Sequence, residues 1–225
     1  MRAFCILLLC ACCGVGCVSI PFEPAPDTSI GSVPEQEVLD AFTRTRSPKL
    51  EAIQSVVFEF FGRKMTGLGA LAVDRETGAF ALSCMTPMGV KLFDIQGVGD
   101  RVDGVTAIPQ FEQSERLGRA VGQDLIRTYM NQIPGPDAVV RRTKTTLVFT
   151  EPSVEGRTEY VFGGPDRMLV EKRIYRGRKR LARIRYFDYF SQDGYLYPRG
   201  IVLENREAHY RLILRLRKVY PLRQD

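Results

Sequence analysis

Tryptophan is absent from the 225 residues, histidine occurs once, and beyond Cys17 the only cysteine is Cys84. Each scarcity removes a class of chemistry. The single histidine, His209, leaves a Ser or Cys nucleophile one candidate imidazole base in the chain. No Gly-x-Ser-x-Gly, phosphate-cradling or His-Glu metal motif accompanies it. One cysteine in the body of the chain excludes an internal disulfide there, so the core must hold the fold together. After Ile20 no apolar run is long enough to span a bilayer. Carboxylates are plentiful, but none of their spacings points to paired acid and base work. The expectation is a protein that is not an enzyme and carries no metal or cofactor; Cys84 with His209 is the weak alternative.

The remaining cysteines crowd the start of the chain. Arg2 precedes an apolar run, Ala3 to Cys13, and the small residues Gly14, Val15 and Gly16 lead to Cys17. A charged start, an apolar middle and a small-residue end read as a secretory signal peptide over residues 1–17. The cysteine after the small residues resembles the lipobox of bacterial lipoproteins. That resemblance implies that Cys17 carries diacylglycerol through a thioether and becomes the acylated first residue. Gly14 stands where Leu is usual; Leu9-Cys10-Ala11-Cys12 fits that position better, with a shorter apolar region. An uncleaved anchor over Ala3 to Ile20 is a further alternative. The cysteines from Cys10 to Cys17 have no histidine partners for a metal site. Val18 rather than Asp follows the anchor, which is similar to cargo sent to the outer membrane.

Charge is unevenly distributed. From Glu151 onward there are 17 basic and 10 acidic side chains, a surplus of +7 against +6 for the whole chain. Export argues against nucleic acid and leaves an anionic membrane surface or acidic partners, or a solvated basic face.

Residues 18–34, with Pro21, Pro24, Pro26 and Pro34, read as a flexible tether, and Pro34 to Thr45 as a short helix with Val38, Leu39 and Phe42 at helical spacing. Strands are expected at Gln54–Phe61, Thr66–Asp74, Ala79–Met85, Gly89–Gln96 and Arg101–Ile108. Their short connections, Arg75-Glu76-Thr77-Gly78 among them, force antiparallel pairing. Leu117, Val121, Leu125 and Tyr129 make one apolar stripe on a helix over Glu112–Asn131, ended by Pro134-Gly135-Pro136. Six more strands follow: Val139–Thr150, Arg157–Phe162, Met168–Tyr175, Leu181–Phe190, Gly200–Asn205 and Ala208–Val219. In the last, Tyr210, Leu212, Leu214 and Leu216 alternate with His209, Arg211, Arg215 and Arg217. The fold class is α+β: a strongly curved antiparallel sheet of about 10–11 strands, an incomplete β-barrel, with helices covering its concave side. Residues 18–47 would be tether and helix, and 48–225 the half-barrel domain.

Three segments carry a family resemblance. Phe80 to Gly89 looks like a strand leading into a Pro-Leu-Gly turn, with Met88 in place of Leu. The central helix and the stretch Tyr197 to Asn205, followed by the alternating last strand, complete the pattern. From about Glu51 to Tyr220 the chain resembles the LolA/LolB class of bacterial lipoprotein carriers and receptors. The resemblance implies an apolar cavity for acyl chains and a projecting turn, here Pro87, Met88 and Gly89, that helps deliver cargo to the outer membrane. Membrane lipid or lipoprotein acyl chains would be the ligand, with a periplasmic carrier protein as a candidate partner. The protein would face the periplasm, anchored to the outer membrane.

A hydrocarbon tail offers only area, so its site needs apolar lining. The candidates are Phe58, Phe60, Leu82, Met85, Leu92, Leu147, Phe149, Leu212 and Leu214, each equally suited to plain core. Arg176, Arg178, Lys179 and Arg180, around a turn at Gly177, could bind headgroup phosphates or form a solvated hairpin tip. Asp124, inside the apolar stripe, is expected to pair with a basic strand residue.

Overall fold

The computed structural model describes residues 20–107, 115–154 and 156–220, with only the backbone course given for 104–107 and 115–118. The signal segment, Cys17, residues 112–114 and the side chain of Leu117 therefore lie outside the described residues.

A single sheet of 12 antiparallel strands dominates. The first five are β1 (Lys49–Phe60), β2 (Arg63–Asp74), β3 (Ala79–Met85), β4 (Lys91–Val98) and β5 (Arg101–Ala107). The other seven are β6 (Val139–Arg142), β7 (Thr146–Ser153), β8 (Gly156–Gly163), β9 (Met168–Arg176), β10 (Lys179–Gln192), β11 (Tyr195–Asn205) and β12 (Tyr210–Tyr220). Spatial order runs β5-β4-β3-β2-β1-β12-β11-β10-β9-β8-β7-β6, so β1 and β12 meet at the centre and the sheet does not close. Among the described residues two helices accompany it: α1 (Glu35–Thr45) and α2 (Glu115–Leu125), the latter continuing as a π-helical turn over Ile126–Met130.

The strand count exceeds the expected 10–11 because Val139–Thr150 is two strands. The Thr143 hydroxyl accepts hydrogen bonds from the amides of Thr145 and Thr146 at 3.3 and 2.9 Å, turning the chain back where the sequence looks continuous. β11 starts at Tyr195 rather than Gly200 and includes Pro198, whose missing N–H is tolerated because pairing with β12 begins only at Gly200.

Laid flat, 12 strands would span roughly 50 Å. Yet α2 and its π turn, about 24 Å long, touch β4 and β5 at one side and Lys172 of β9 at the other. The sheet bends to bring both within reach. One face feeds a continuous core: Leu50, Ala52, Val56 and Phe58 of β1 alternate with exposed or half-buried neighbours, and Tyr210, Leu212, Leu214 and Leu216 of β12 face the same way, with Ile213 between them buried on the other face. α1 rests on β9 and β11, and Phe42 meets Phe162 edge-on at 5.3 Å.

The opposite face carries ion pairs across neighbouring strands. Arg157 and Arg173 share Glu159, Arg173 and Arg183 share Glu171, and Arg185 pairs with Glu204. Four of the arginines of the last third are paired there with three glutamates. Such half-exposed pairs contribute about 0–1 kcal/mol each.

The expected flexible tether is docked instead. Phe22 is buried on the outer face, stacked on Phe187 at 5.5 Å, beneath the Arg215 guanidinium at 4.9 Å. Arg215 also donates to the Pro21 carbonyl at 3.1 Å. Further on, the Ile30 amide donates to the Lys144 carbonyl, and Arg142 donates to the Gly31 and Val33 carbonyls. The reason is Gly200: a Cβ there would stand 2.5 Å from the Phe22 ring, so the glycine leaves the slot the ring fills. Gly200→Ala is expected to expel the ring, costing about 1–3 kcal/mol by overpacking. Chymotrypsin should then cut after Phe22 in otherwise folded protein; unchanged resistance would contradict the seat.

Candidate functional site: an apolar hollow beneath the central helix

Between α2 and the central strands lies an apolar hollow of about 40 Å³. Its floor is Val56 and Phe58 of β1 with Leu212 and Leu214 of β12; Leu82, Cys84 and Leu92 form one wall. Val121, Leu125 and Tyr129 close it from the helix side. The period-two geometry of strands brings these residues to one face. On β2, Gly67 and Gly69 face inward while Leu68 is turned out and exposed. A Cβ at Gly67 would come within 2.8 Å of the Met85 carbonyl and 3.1 Å of the Cys84 sulfur, so the missing side chain lets β3 pack close to β2 there.

One fully buried carboxylate borders this greasy space. Asp124 accepts from Tyr210 Oη at 2.5 Å, Asn205 Nδ2 at 2.6 Å and Arg127 Nη1 at 2.8 Å. The expected basic strand partner is absent: its cation comes from the same helix, three residues on, and the strands supply a phenol and an amide. Burial, then the adjacent carboxylate, pushes the Tyr210 phenol well above its ordinary value. Tyr129 Oη donates to Gln54 Oε1 at 2.7 Å, satisfying the one buried amide of β1 that faces the helix.

The C-terminal end of the helix is held by cations. Arg46 Nη2 donates to the Met130 carbonyl at 3.2 Å, Arg75 Nε to the Tyr129 carbonyl at 3.1 Å, and Lys172 Nζ to those of Arg127, at 3.1 Å, and Asn131. Tyr186 Oη and Gln132 Nε2 both reach the Thr128 carbonyl. A helix end exposes unpaired carbonyls with partial negative charge, and these groups satisfy them from β9, β10 and the segments flanking β1 and β2. Desolvation lowers all three cations: Arg46 to about 10, Arg75 to about 9 with Arg46 as a second cause, and Lys172 to about 7.

Of the nine lining candidates, Phe58, Leu82, Leu92, Leu212 and Leu214 border the hollow. Leu147 and Phe149 belong to the core near α1, where Phe149 meets Phe162 at 5.5 Å. Phe60 lies beyond Phe58, bordering a cleft at the sheet's end. Met85 follows Cys84, so its side chain leaves the inner face, and it does not border the hollow. Thr86 to Gly89 is a turn closed by the Gly89 amide on the Thr86 carbonyl at 2.9 Å; Pro87 takes its favoured second position and Met88 projects, 89% exposed. Arg176 pairs with Glu207 at 2.8 Å, Arg178 and Lys179 are exposed, and Arg180 is half-buried. His209 sits exposed in the turn before β12, not on the strand, while Cys84 is buried in the hollow; they form no nucleophile–base pair. No metal-binding group of side chains and no helix long and apolar enough to cross a membrane occurs among the described residues.

Val56, Cys84, Val121, Asp124 and Leu125 also border the hollow without having been singled out as lining. The signal for the first two was strand alternation with Phe58 and Leu82.

By sequence, no family profile and no curated protein matches this chain. By structure, a LolA superfamily protein from Nitrosomonas europaea superposes with a TM-score of 0.56 at 9% identity, over 86% of this chain and 96% of that one. A DUF1329 family protein from Desulfovibrio piger gives 0.49 at 8% identity, covering 85% and 95%. A domain assigned to outer-membrane lipoprotein sorting, from Vibrio parahaemolyticus, gives 0.45 at 11%, covering 82% and 89%. At 9% identity the likeness to the Nitrosomonas europaea protein is one of fold alone.

Two measurements check the site. Lys172 has a folded-state value below the ordinary 10.5, so between about pH 7 and 10.5 the unfolded chain holds the extra proton and stability rises with pH. Lys172→Met should remove that rise in urea midpoints followed across the window; an equal slope in both proteins would contradict the buried charge. Burial also raises the Cys84 thiol to about 11. With Cys17 acylated or replaced by Ser, Cys84 should react with a disulfide reagent at pH 8 roughly a hundredfold more slowly than an ordinary thiol.

Proposed function

We propose that this chain is an envelope lipoprotein, anchored through Cys17, that takes acyl chains into the hollow beneath α2 and acts in lipid or lipoprotein transfer at the outer membrane. The apolar hollow between helix and sheet is the observation that supports it. On this reading the sheet is a half-barrel, α2 covers its concave side, and no step of covalent chemistry is involved.

In its present form the hollow has room for roughly three waters, so an acyl chain must displace part of the helix. The magnitudes allow it. Burying about ten methylenes contributes about 8 kcal/mol. Withdrawing Val121 forfeits about 1.5–3 kcal/mol, while Leu125, next to the anchored Asp124, stays in place. The pinned end is harder to move, since hydrogen bonds from charged groups contribute about 1.5–3 kcal/mol apiece and several converge on the π turn. Opening would therefore pivot at Asp124, which Tyr210 and Asn205 hold, with the helix before it swinging away. Met88, on its projecting turn, would touch the receiving membrane, and Arg178 and Lys179 its phosphates.

Native mass spectrometry of the full chain extracted gently from membranes is expected to show co-purifying lipid. A consistently empty protein would instead favour a structural or assembly lipoprotein with no ligand. Met88→Glu should lower lipid delivery between vesicles while leaving the thermal midpoint unchanged; undiminished transfer would remove Met88 from the account.

A further inference from the structure

The β1–β2 turn is built against local preference. Phe60 pairs with Arg63, leaving Phe61 and Gly62 as a two-residue hairpin with φ of 45° and 73°. A turn with both central residues at positive φ selects Asn or Asp first and Gly second. Gly62 suits its position, but a bulky aromatic at the first position is strained. The Phe61 ring does not enter the core either: it remains 80% exposed, with the His209 ring at 6.3 Å and the Phe60 ring at 6.4 Å. Strain and an exposed aromatic at one residue mark a surface that meets an apolar partner.

Register shows what accompanies it. The β1–β2, β3–β4, β7–β8, β9–β10 and β11–β12 turns all lie at one end of the sheet. Met85 pairs with Leu68, five residues along β2 from Arg63, whereas Lys179 stands three residues beyond Ala182, the partner of Asn205. Successive turns are thus staggered, as the strand tilt of a bent sheet requires, and together they define one rim. On it are Phe61, Met88, Val90 and Val154, all exposed. Between them stand the exposed bases Arg63, Lys64, Arg178, Lys179 and Arg206. The turns at the opposite end expose Glu76, Asp100, Asp166 and Asp193 beside two exposed bases, Arg101 and Lys144, so acid is in excess there.

We infer that this rim is the surface by which the protein lies on an anionic lipid bilayer, with Phe61 and Met88 as two inserted prongs and the intervening bases on headgroup phosphates. The inference extends the proposed reading by giving the orientation of the domain and a second inserting residue. Charge complementarity selects the partner: apolar tips ringed by Arg and Lys fit an anionic interface, and the acidic opposite end is repelled by it. Chain length agrees. Phe22 sits over Gly200 and beneath Arg215, each five residues from the rim ends of their strands, roughly 17 Å below it. The five residues from Cys17 to Phe22 reach at most about 17 Å, enough to bring an acyl anchor to the same plane.

Because the chain has no tryptophan, Phe61→Trp gives a single reporter. With vesicles of phosphatidylglycerol and phosphatidylcholine, the full chain carrying Phe61→Trp should emit at shorter wavelength and be quenched by acyl-brominated phosphatidylcholine. Thr77→Trp, at the far end, should respond only to iodide in water. Iodide quenching of Phe61→Trp with no response to brominated lipid overturns the inference, as does a shift that follows protein concentration without vesicles, which means self-association. Phe61→Asn supplies an independent arm: relieving the turn should raise the thermal midpoint by about 2–4 °C while weakening brominated-lipid quenching of a Met88→Trp reporter. An unchanged or lowered midpoint, or undiminished quenching, counts against the inference. An empty hollow would defeat the transfer reading and leave these outcomes unaltered.

Discussion

Three cations on the last carbonyls of the central helix, Lys172 buried and Arg46 and Arg75 half-buried, are the contact around which the inner half of this protein is organised. Arg46, Arg75 and Lys172 come from distant parts of the chain and meet the carbonyls of Arg127, Tyr129, Met130 and Asn131. A helix end buried against a sheet would otherwise leave unpaired acceptors in a dry place, which is strongly unfavourable. Satisfying them sets where the helix stands, and that placement suspends Val121 and Leu125 over β1 and β12. The hollow lies between that suspended helix and the inner face of the central strands, with Gly67 of β2 at its edge.

The π turn belongs to the same logic. The Asn131 amide bonds back to the Ile126 carbonyl at 3.0 Å, a wider helical turn that leaves carbonyls available to outside donors. Asp124 ties the middle of the helix to Tyr210 and Asn205, so the polar contacts run along one side of the hollow and apolar ones line the rest. An enclosure of that kind holds hydrocarbon without demanding any directional bond from it. The outer face is built differently: carboxylates shared between arginines knit β8 to β10, and the Phe22 strap covers the apolar gap left among them.

Local pattern made much of the fold legible. The alternation of Tyr210 to Leu216, the Arg75–Gly78 turn and the apolar stripe through Val121, Leu125 and Tyr129 each state their element without help from distant residues. What escaped depends on distant partners. Thr143 splits a continuous-looking strand through hydroxyl bonds that apolar periodicity does not register. Phe22 lies in a proline-rich stretch, and its seat exists only because Gly200, far along the chain, lacks a side chain. Lys172 and Arg75 belong to residue types that usually face water, so nothing local reveals that they are buried at a helix end. Part of the hollow was readable for the same reason the strands were, through period-two partners of Phe58 and Leu82. Leu147 and Phe149 have the same alternation, and only the position of α1 above them assigns them to closed core.

The decisive measurement is methyl NMR of the protein titrated with a fatty acid carrying a nitroxide near its tail. The account predicts selective broadening of the Leu82, Leu92, Val121, Leu212 and Leu214 methyl signals, with Leu147 and Leu169 unaffected. Uniform broadening, or broadening confined to the outer face around Val202 and Ile213, would contradict a site beneath the helix.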